Sequence, residues 1–254
     1  MSKKKWISGT LKLSVKGEPL EVQMTFPEKP VRPQRILPVL QQMTNKFVDI
    51  GVKVAEQRGE SVSCTKGCGA CCSQIVPISE IEVYHIANLV EEMPEARRKI
   101  VKEKFEKACR HFHEIGVFRR IDAASDFSTE EIRKIAVQYF EQNVSCPFLE
   151  DQACSIHPVR PLSCREYLVT SPAEICSAPT PETVKTVEIP HKMSRTLLKV
   201  WRDNYSPKTA FVPLVRALEW AKTHPEKSQR KMGTAWINEI IQDIGNKKTP
   251  AEKR

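Results

Sequence analysis

The run Cys64-Thr-Lys-Gly-Cys68-Gly-Ala-Cys71-Cys72 places four thiols within nine residues, in a C-x3-C-x2-C-C pattern. Ordinary core cysteines do not cluster so tightly, and the run asks to be held by disulfides, zinc or iron. A C-x2-C pair such as Cys68 and Cys71 lets two thiolates reach one tetrahedral metal. Gly67 and Gly69 permit the tight turn this needs and leave backbone N–H groups free to point at sulfur. Cys64 adds a third ligand from the same loop. Cys72 is less simple, because side chains of adjacent residues usually diverge. It serves either a second centre or a cluster large enough to be met from two directions.

Four further cysteines follow in a looser group: Cys146, Cys154, Cys164 and Cys176. They are too widely spaced to form a local knuckle and make sense as ligands returning to the site begun at Cys64–Cys72; Cys176 also reads as a plain buried thiol. Eight thiols suit two zinc ions with four cysteines each, one iron–sulfur cluster plus a zinc, or a single centre with spare cysteines. The adjacent pair and the surplus of thiols tilt the reading toward iron–sulfur. Ionised thiols carry negative charge, and Arg160 and Arg165, which flank Cys164, are placed to offset it as cofactor-binding residues. Pro158 and Pro161 stiffen that loop.

The chain has 254 residues, 40% hydrophobic and 28% charged, enough to bury a core without staples. Nothing in it has the length and apolarity of a membrane span, and Met1-Ser-Lys-Lys-Lys-Trp-Ile has no apolar run of signal-peptide length behind it. This points to a cytoplasmic protein, where clustered cysteines bind metal or do redox work rather than form disulfides. The net charge of +9 sits at the ends: residues 1–60 carry 11 Lys/Arg against 6 Asp/Glu, and residues 227–254 carry 7 against 3. Such ends suit a nucleic-acid contact, but Lys3–Lys5 and the tail from Lys247 to Arg254 read more simply as solvated termini.

The hydrophobic pattern predicts a fold that is mainly α with minor β: a helical domain around irregular cysteine-rich loops, with an N-terminal β-hairpin. Alternation on both sides of Lys16-Gly17-Glu18-Pro19 predicts the hairpin. Ile36, Leu40, Met43, Phe47, Ile50 and Val54 predict a helix ending near Gly59, just before the first cysteines. Ser79-x2-Glu82 and Ser128-x2-Glu131 are capping boxes that open helices to about Met93 and Phe140. Pro94 starts a charged helix to about Gly116. Residues 146–181 read as loop, Thr183–Ile189 as a short strand. Three amphipathic helices follow, built on Met193–Tyr205, Phe211–Leu218 and Trp236–Ile244. The regions divide as 1–60, 61–181 and 182–254. Within the charged helix, Cys109 and His113 are four apart on one face and form a candidate metal pair; a core cysteine beside a surface histidine is the plainer reading.

Read in order, Cys64-x3-Cys68-x2-Cys71-Cys72, Cys146-Pro-Phe-Leu, and Cys154-Ser-Ile-His157-Pro-Val-Arg160-Pro161-Leu-Ser-Cys164-Arg165-Glu-Tyr167 resemble the YkgJ-type cysteine-cluster family. The resemblance spans about residues 64–176 and implies a zinc- or iron-chelating domain whose reaction, if any, is open. Members often have Tyr where His157 stands, so His157 is either a ligand or another ring filling that position. Flagellin lysine N-methylase is similar in carrying such a cluster and is associated with iron–sulfur. This implies a second reading, an enzyme acting on a protein substrate. A third is a structural zinc module with basic ends for nucleic acid. C-x3-C-x2-C also occurs in radical S-adenosylmethionine enzymes, but here Ala70 replaces the usual aromatic and helices replace the α/β barrel.

Overall fold

The computed structural model describes residues 6–15, 18–65, 67–123, 128–180, 182–205 and 210–245. Its architecture is mainly α with minor β. Strands β1 (Trp6–Val15) and β2 (Glu18–Pro27) pair antiparallel, with Trp6 opposite Pro27 and Val15 opposite Glu18. The expected turn at Lys16 and Gly17, the Lys3–Lys5 end and the Lys247–Arg254 tail lie outside the described residues. A two-stranded ribbon needs a packing partner. β2 finds one by burying Leu20, Val22 and Phe26 in a core shared with the first and last long helices.

A 3-10 turn at Pro33–Ile36 leads into α1 (Leu37–Gln57), which buries Leu40, Met43 and Phe47 completely. It stops at Gly59, whose φ of +77° is the left-handed conformation that ends helices. β3 (Pro77–Ile78) precedes α2 (Glu80–Glu91), opened by the Ser79/Glu82 capping box. In α3 (Glu95–Glu114) the proline serves as the extended N-cap rather than as the first helical residue. Gly116, with φ +76°, then turns the chain into a short helix absent from the sequence reading, α4 (Val117–Ala123). Its Val117, Phe118 and Ile121 are fully buried. α5 (Thr129–Phe140) follows its Ser128/Glu131 box.

The stretch expected to be loop contains a two-residue hairpin, β4 (Leu149–Glu150) with β5 (Ala153–Cys154), and then α6 (Leu162–Glu166). The strand expected at Thr183–Ile189 is reduced to one bridge between Val169 and Thr186. α7 (Met193–Asn204) follows. The helix expected from Phe211 begins later. Val212 is driven extended by Pro213, and the two pair with β3 as β6 (Val212–Pro213) before α8 (Ala217–Thr223) starts. α9 (Gly233–Gly245) closes the described chain. Its first residue lies so close to Phe26 that a Cβ there would sit 2.4 Å from the ring. Among the described residues, no helix is long and apolar enough to cross a membrane.

Three apolar clusters result. One joins β2, α1, α7 and α9; the second joins α2, α3 and α8 with Phe148 and Ile156; the third joins the end of α3 with α4 and α5. Between the first two sits α6, held at both ends by buried carboxylates. Glu82 Oε1 accepts the Leu162 N–H at 2.9 Å, while its Oε2 accepts the Ser79 N–H at 3.0 Å. Glu166 accepts the Ser194 N–H at 2.9 Å and the Ser194 hydroxyl, and so docks the start of α7.

Glu82→Ala leaves two buried N–H groups without partners and is expected to cost roughly 1–3 kcal/mol for each, read from the denaturant midpoint. Burial, the largest influence on Glu82, raises its carboxyl above the usual range despite the hydrogen bonds from Leu162 and Ser79. The folded chain therefore holds this proton more tightly than the unfolded chain. Its contribution to stability is full below the ordinary carboxylate range and is lost as pH rises through the raised value. The wild-type midpoint should decline over that interval, and Glu82→Ala should decline less.

Candidate metal centre

The first cysteine loop is stitched on two sides. Ser63 N–H donates to Val169 O at 2.9 Å, and Cys146 N–H donates to Cys72 O at 2.7 Å. Gly67 has φ +91°, a conformation that glycine adopts without cost. Gly69 is needed for space instead: a Cβ there would lie 2.6 Å from the Gln152 carbonyl oxygen and 2.6 Å from Leu149 Cδ1. Gln152 belongs to the turn between β4 and β5. Asp151 and Gln152 take φ +47° and +62°, positive at both central positions as a type I′ turn requires.

Seven of the eight candidate cysteines line one cavity of about 560 Å³: Cys64, Cys68, Cys71, Cys72, Cys146, Cys154 and Cys164. The two sequence groups, some eighty residues apart, are thereby brought together. Cys176 is not among the lining residues; it is buried, and the Tyr167 hydroxyl donates to its sulfur while accepting from Gln74 Nε2 at 3.3 Å. His157 and Arg160 line the cavity, and so do Lys192 and Arg195 from the start of α7. Arg165 does not. Its guanidinium donates to the Arg160 carbonyl at 3.1 Å, to Asn45 Oδ1 at 3.2 Å and to the Pro158 carbonyl, and it clamps the loop from behind α6 to α1.

The thiols interact as a set. Cys71 and Cys72 do not diverge: their thiols are hydrogen-bonded to each other, which raises the Cys71 pKa together with burial. Cys71 is also the shared neighbour, its charge acting on Cys64, Cys146, Cys154, Cys164 and Cys176. For those five, burial is the largest cause and pushes every thiol up, Cys146 to about 12. Among the described residues no three of these sulfurs lie within 4.8 Å of one another. A four-thiolate zinc needs sulfurs about 3.8 Å apart, from its Zn–S bonds of ~2.3 Å. No trio of these sulfurs is therefore already gathered at the spacing of one tetrahedral zinc.

At three positions a backbone donor offsets part of this upward push. Backbone N–H groups of Val169, Phe148 and Ile156 donate to the sulfurs of Cys64, Cys146 and Cys154. The sequence reading assigned that task to glycines; the actual donors for Cys146 and Cys154 come two residues further along the chain, which spacing alone does not mark. Arg160 lowers the pKa of Cys64, Cys71, Cys154 and Cys164, and its Nε is buried with no hydrogen-bond partner. An unpaired guanidinium nitrogen among sulfurs fits an anionic metal–thiolate group. Sequence reasoning missed Lys192 and Arg195, for which Lys192-Met-Ser-Arg195 offers no signal beyond charge.

Amide-supported thiols from two distant stretches, gathered around one cavity, are the equipment of a metal-chelating cysteine domain. Residues 63–187, just under half of the chain, match the model of the CxxCxxCC family, described as a zinc- or iron-chelating domain. The YkgJ-type name is a narrower wording for the same family. No curated protein and no solved structure gives a significant match to the chain.

Gly69→Ala forces the first cysteine loop away from the β4–β5 turn. It should lower metal affinity by about 10–100-fold, the usual effect of disturbing residues that support ligands, while far-UV circular dichroism stays unchanged. Retention equal to wild type in equilibrium dialysis would show that the two loops need not touch.

Proposed function

We propose that this protein binds an iron–sulfur cluster through Cys64, Cys68, Cys71, Cys72, Cys146, Cys154 and Cys164, with Cys176 supporting. The observation that carries this reading is that seven cysteines line one cavity while no three of their sulfurs lie within 4.8 Å of one another, the spacing that a tetrahedral zinc would call for. Arg160 offsets the charge, and the N–H groups of Val169, Phe148 and Ile156 hold their thiolates. Such a cluster supplies electron transfer, or a coordination position for a small molecule where an iron lacks a protein ligand. Zinc held by four of the thiols is the family's other option. All nine cysteines are free, which suits the reducing cytoplasm in which we place the protein.

One observation favours an enzymatic role. The cavity of about 560 Å³ falls in the range of small-molecule sites, and Lys192 and Arg195 face it beside the cysteines. An anionic or zwitterionic cosubstrate fits there, and a protein is the substrate class suggested by the similarity to flagellin lysine N-methylase. Calorimetry with S-adenosylmethionine on the cluster-loaded chain should show binding that weakens in Lys192→Ala. No heat with loaded protein would remove this role and leave cluster binding intact.

The cluster itself is tested by iron, sulfide and zinc content with an absorption spectrum on anaerobically purified protein. Matching iron and sulfide with broad absorption near roughly 400 nm are expected. Cys71→Ser should abolish the absorption, and Cys176→Ser should reduce it least. Stoichiometric zinc in a colourless sample overturns the iron–sulfur reading.

A further inference from the structure

A second group of ligating side chains lies away from the cysteine cavity. Cys109 and His113 stand one turn apart on α3 and face Glu219 of α8. Cys109 Sγ donates to Glu219 Oε2 at 3.1 Å, and His113 Nε2 lies 2.6 Å from that same oxygen. The sulfur, the imidazole nitrogen and the carboxylate oxygen all fall within 4.8 Å of one another. No other such group of three His, Cys, Asp or Glu ligand atoms occurs among the described residues.

The positions of these atoms are enforced from outside. Arg216 Nε donates to the other Glu219 oxygen at 2.9 Å, which leaves Oε2 turned toward Cys109 and His113. Asp122 holds Arg216 in turn, accepting from Nη1 at 2.7 and 2.8 Å, and so balances its charge. The His113 ring packs edge-on against Phe118 with centroids 4.9 Å apart, and the Arg216 guanidinium lies over the same Phe118 ring at 4.9 Å. A carboxylate oriented by a second residue and an imidazole fixed by a packed ring are what a metal site needs around its ligands.

We propose that Cys109, His113 and Glu219 form a zinc site separate from the cysteine cluster, with a fourth coordination position open to solvent. Sulfur, nitrogen and oxygen ligands from one protein suit zinc, and three protein ligands with an open position are the pattern of reactive zinc sites. The thiolate and carboxylate together balance the charge of the ion. The ligands line a cavity of about 820 Å³ between α2, α3 and α8, large enough to admit water or a small ligand to the fourth position. The site shares no residue with the cysteine cavity and does not depend on what that cavity binds.

The test uses the full chain with its cysteine cluster loaded as isolated. Zn²⁺ is added, and bound zinc is counted after equilibrium dialysis for wild type, His113→Ala and Cys109→Ser. Wild type should take up one further equivalent that both variants lose, with the metal of the cysteine cluster unchanged in all three. His113 is exposed at its ring, so its alanine variant keeps the fold. Co²⁺ as a spectroscopic probe should give a sulfur-to-metal charge-transfer band in wild type that disappears in Cys109→Ser. Equal zinc uptake by wild type and both variants overturns the site, and so does a cobalt spectrum without sulfur. Either result would reduce the three residues to a hydrogen-bonded cluster, whatever the cysteine cavity holds.

Discussion

The Leu162 N–H, first in α6, has no partner within its own helix, and it is buried where water cannot supply one. The Glu82 carboxylate reaches across from α2 to accept it at 2.9 Å. The same side chain completes the box that opens α2, so a single buried group closes two helix starts. At the far end of α6, Glu166 performs the matching service for α7. Short helices have little stability of their own, and α6 has only five residues. Its place between the two larger cores rests on these carboxylates and on Arg165, which binds the carbonyls of the preceding loop. Cys164 rides on α6, so the position of that thiol follows from polar groups that never touch it.

The cysteine cavity is built against its own electrostatics. Burial pushes the thiols toward the neutral form, and their mutual proximity pushes the same way. Three backbone N–H donors and Arg160 push back, and they do so at chosen positions. A cation bound by Cys64, Cys71, Cys146, Cys154 or Cys164, whose thiols are pushed up, would have to displace a proton. Metal binding is then coupled to proton release and to the stability of the loops themselves. The Gly69 contact shows how little slack the arrangement has, since one methyl group would strike a backbone oxygen at 2.6 Å.

Much of the framework was legible because its signals are local. Ser79-x2-Glu82 and Ser128-x2-Glu131 named two helix starts, the repeat of Ile36, Leu40, Met43 and Phe47 named α1, and alternation named the hairpin. Elements set by tertiary context were not. The turn at Asp151–Gln152 takes left-handed conformations without a glycine or asparagine to announce it. Pro213 draws Val212 into a strand pair where periodicity suggested helix. The residues around the sulfurs divide in the same way. Spacing marked the cysteines as candidates. The second role of Glu82, the inward faces of Lys192 and Arg195, and the meeting of Glu219 with Cys109 across 110 positions are properties of packing that no window of sequence contains.

The two halves of the thiol ring leave the ribosome far apart in time. Cys64–Cys72 emerge first, and Cys146, Cys154 and Cys164 follow only after α2 to α5 have been made. Until then the early loop lacks the Cys146 amide that binds Cys72 O and the β4–β5 turn on which Gly69 rests. A nascent chain at that stage carries four thiols within nine residues and lacks the wall that later stands behind them. The length of the helical insert between Cys72 and Cys146 sets how long that wait lasts.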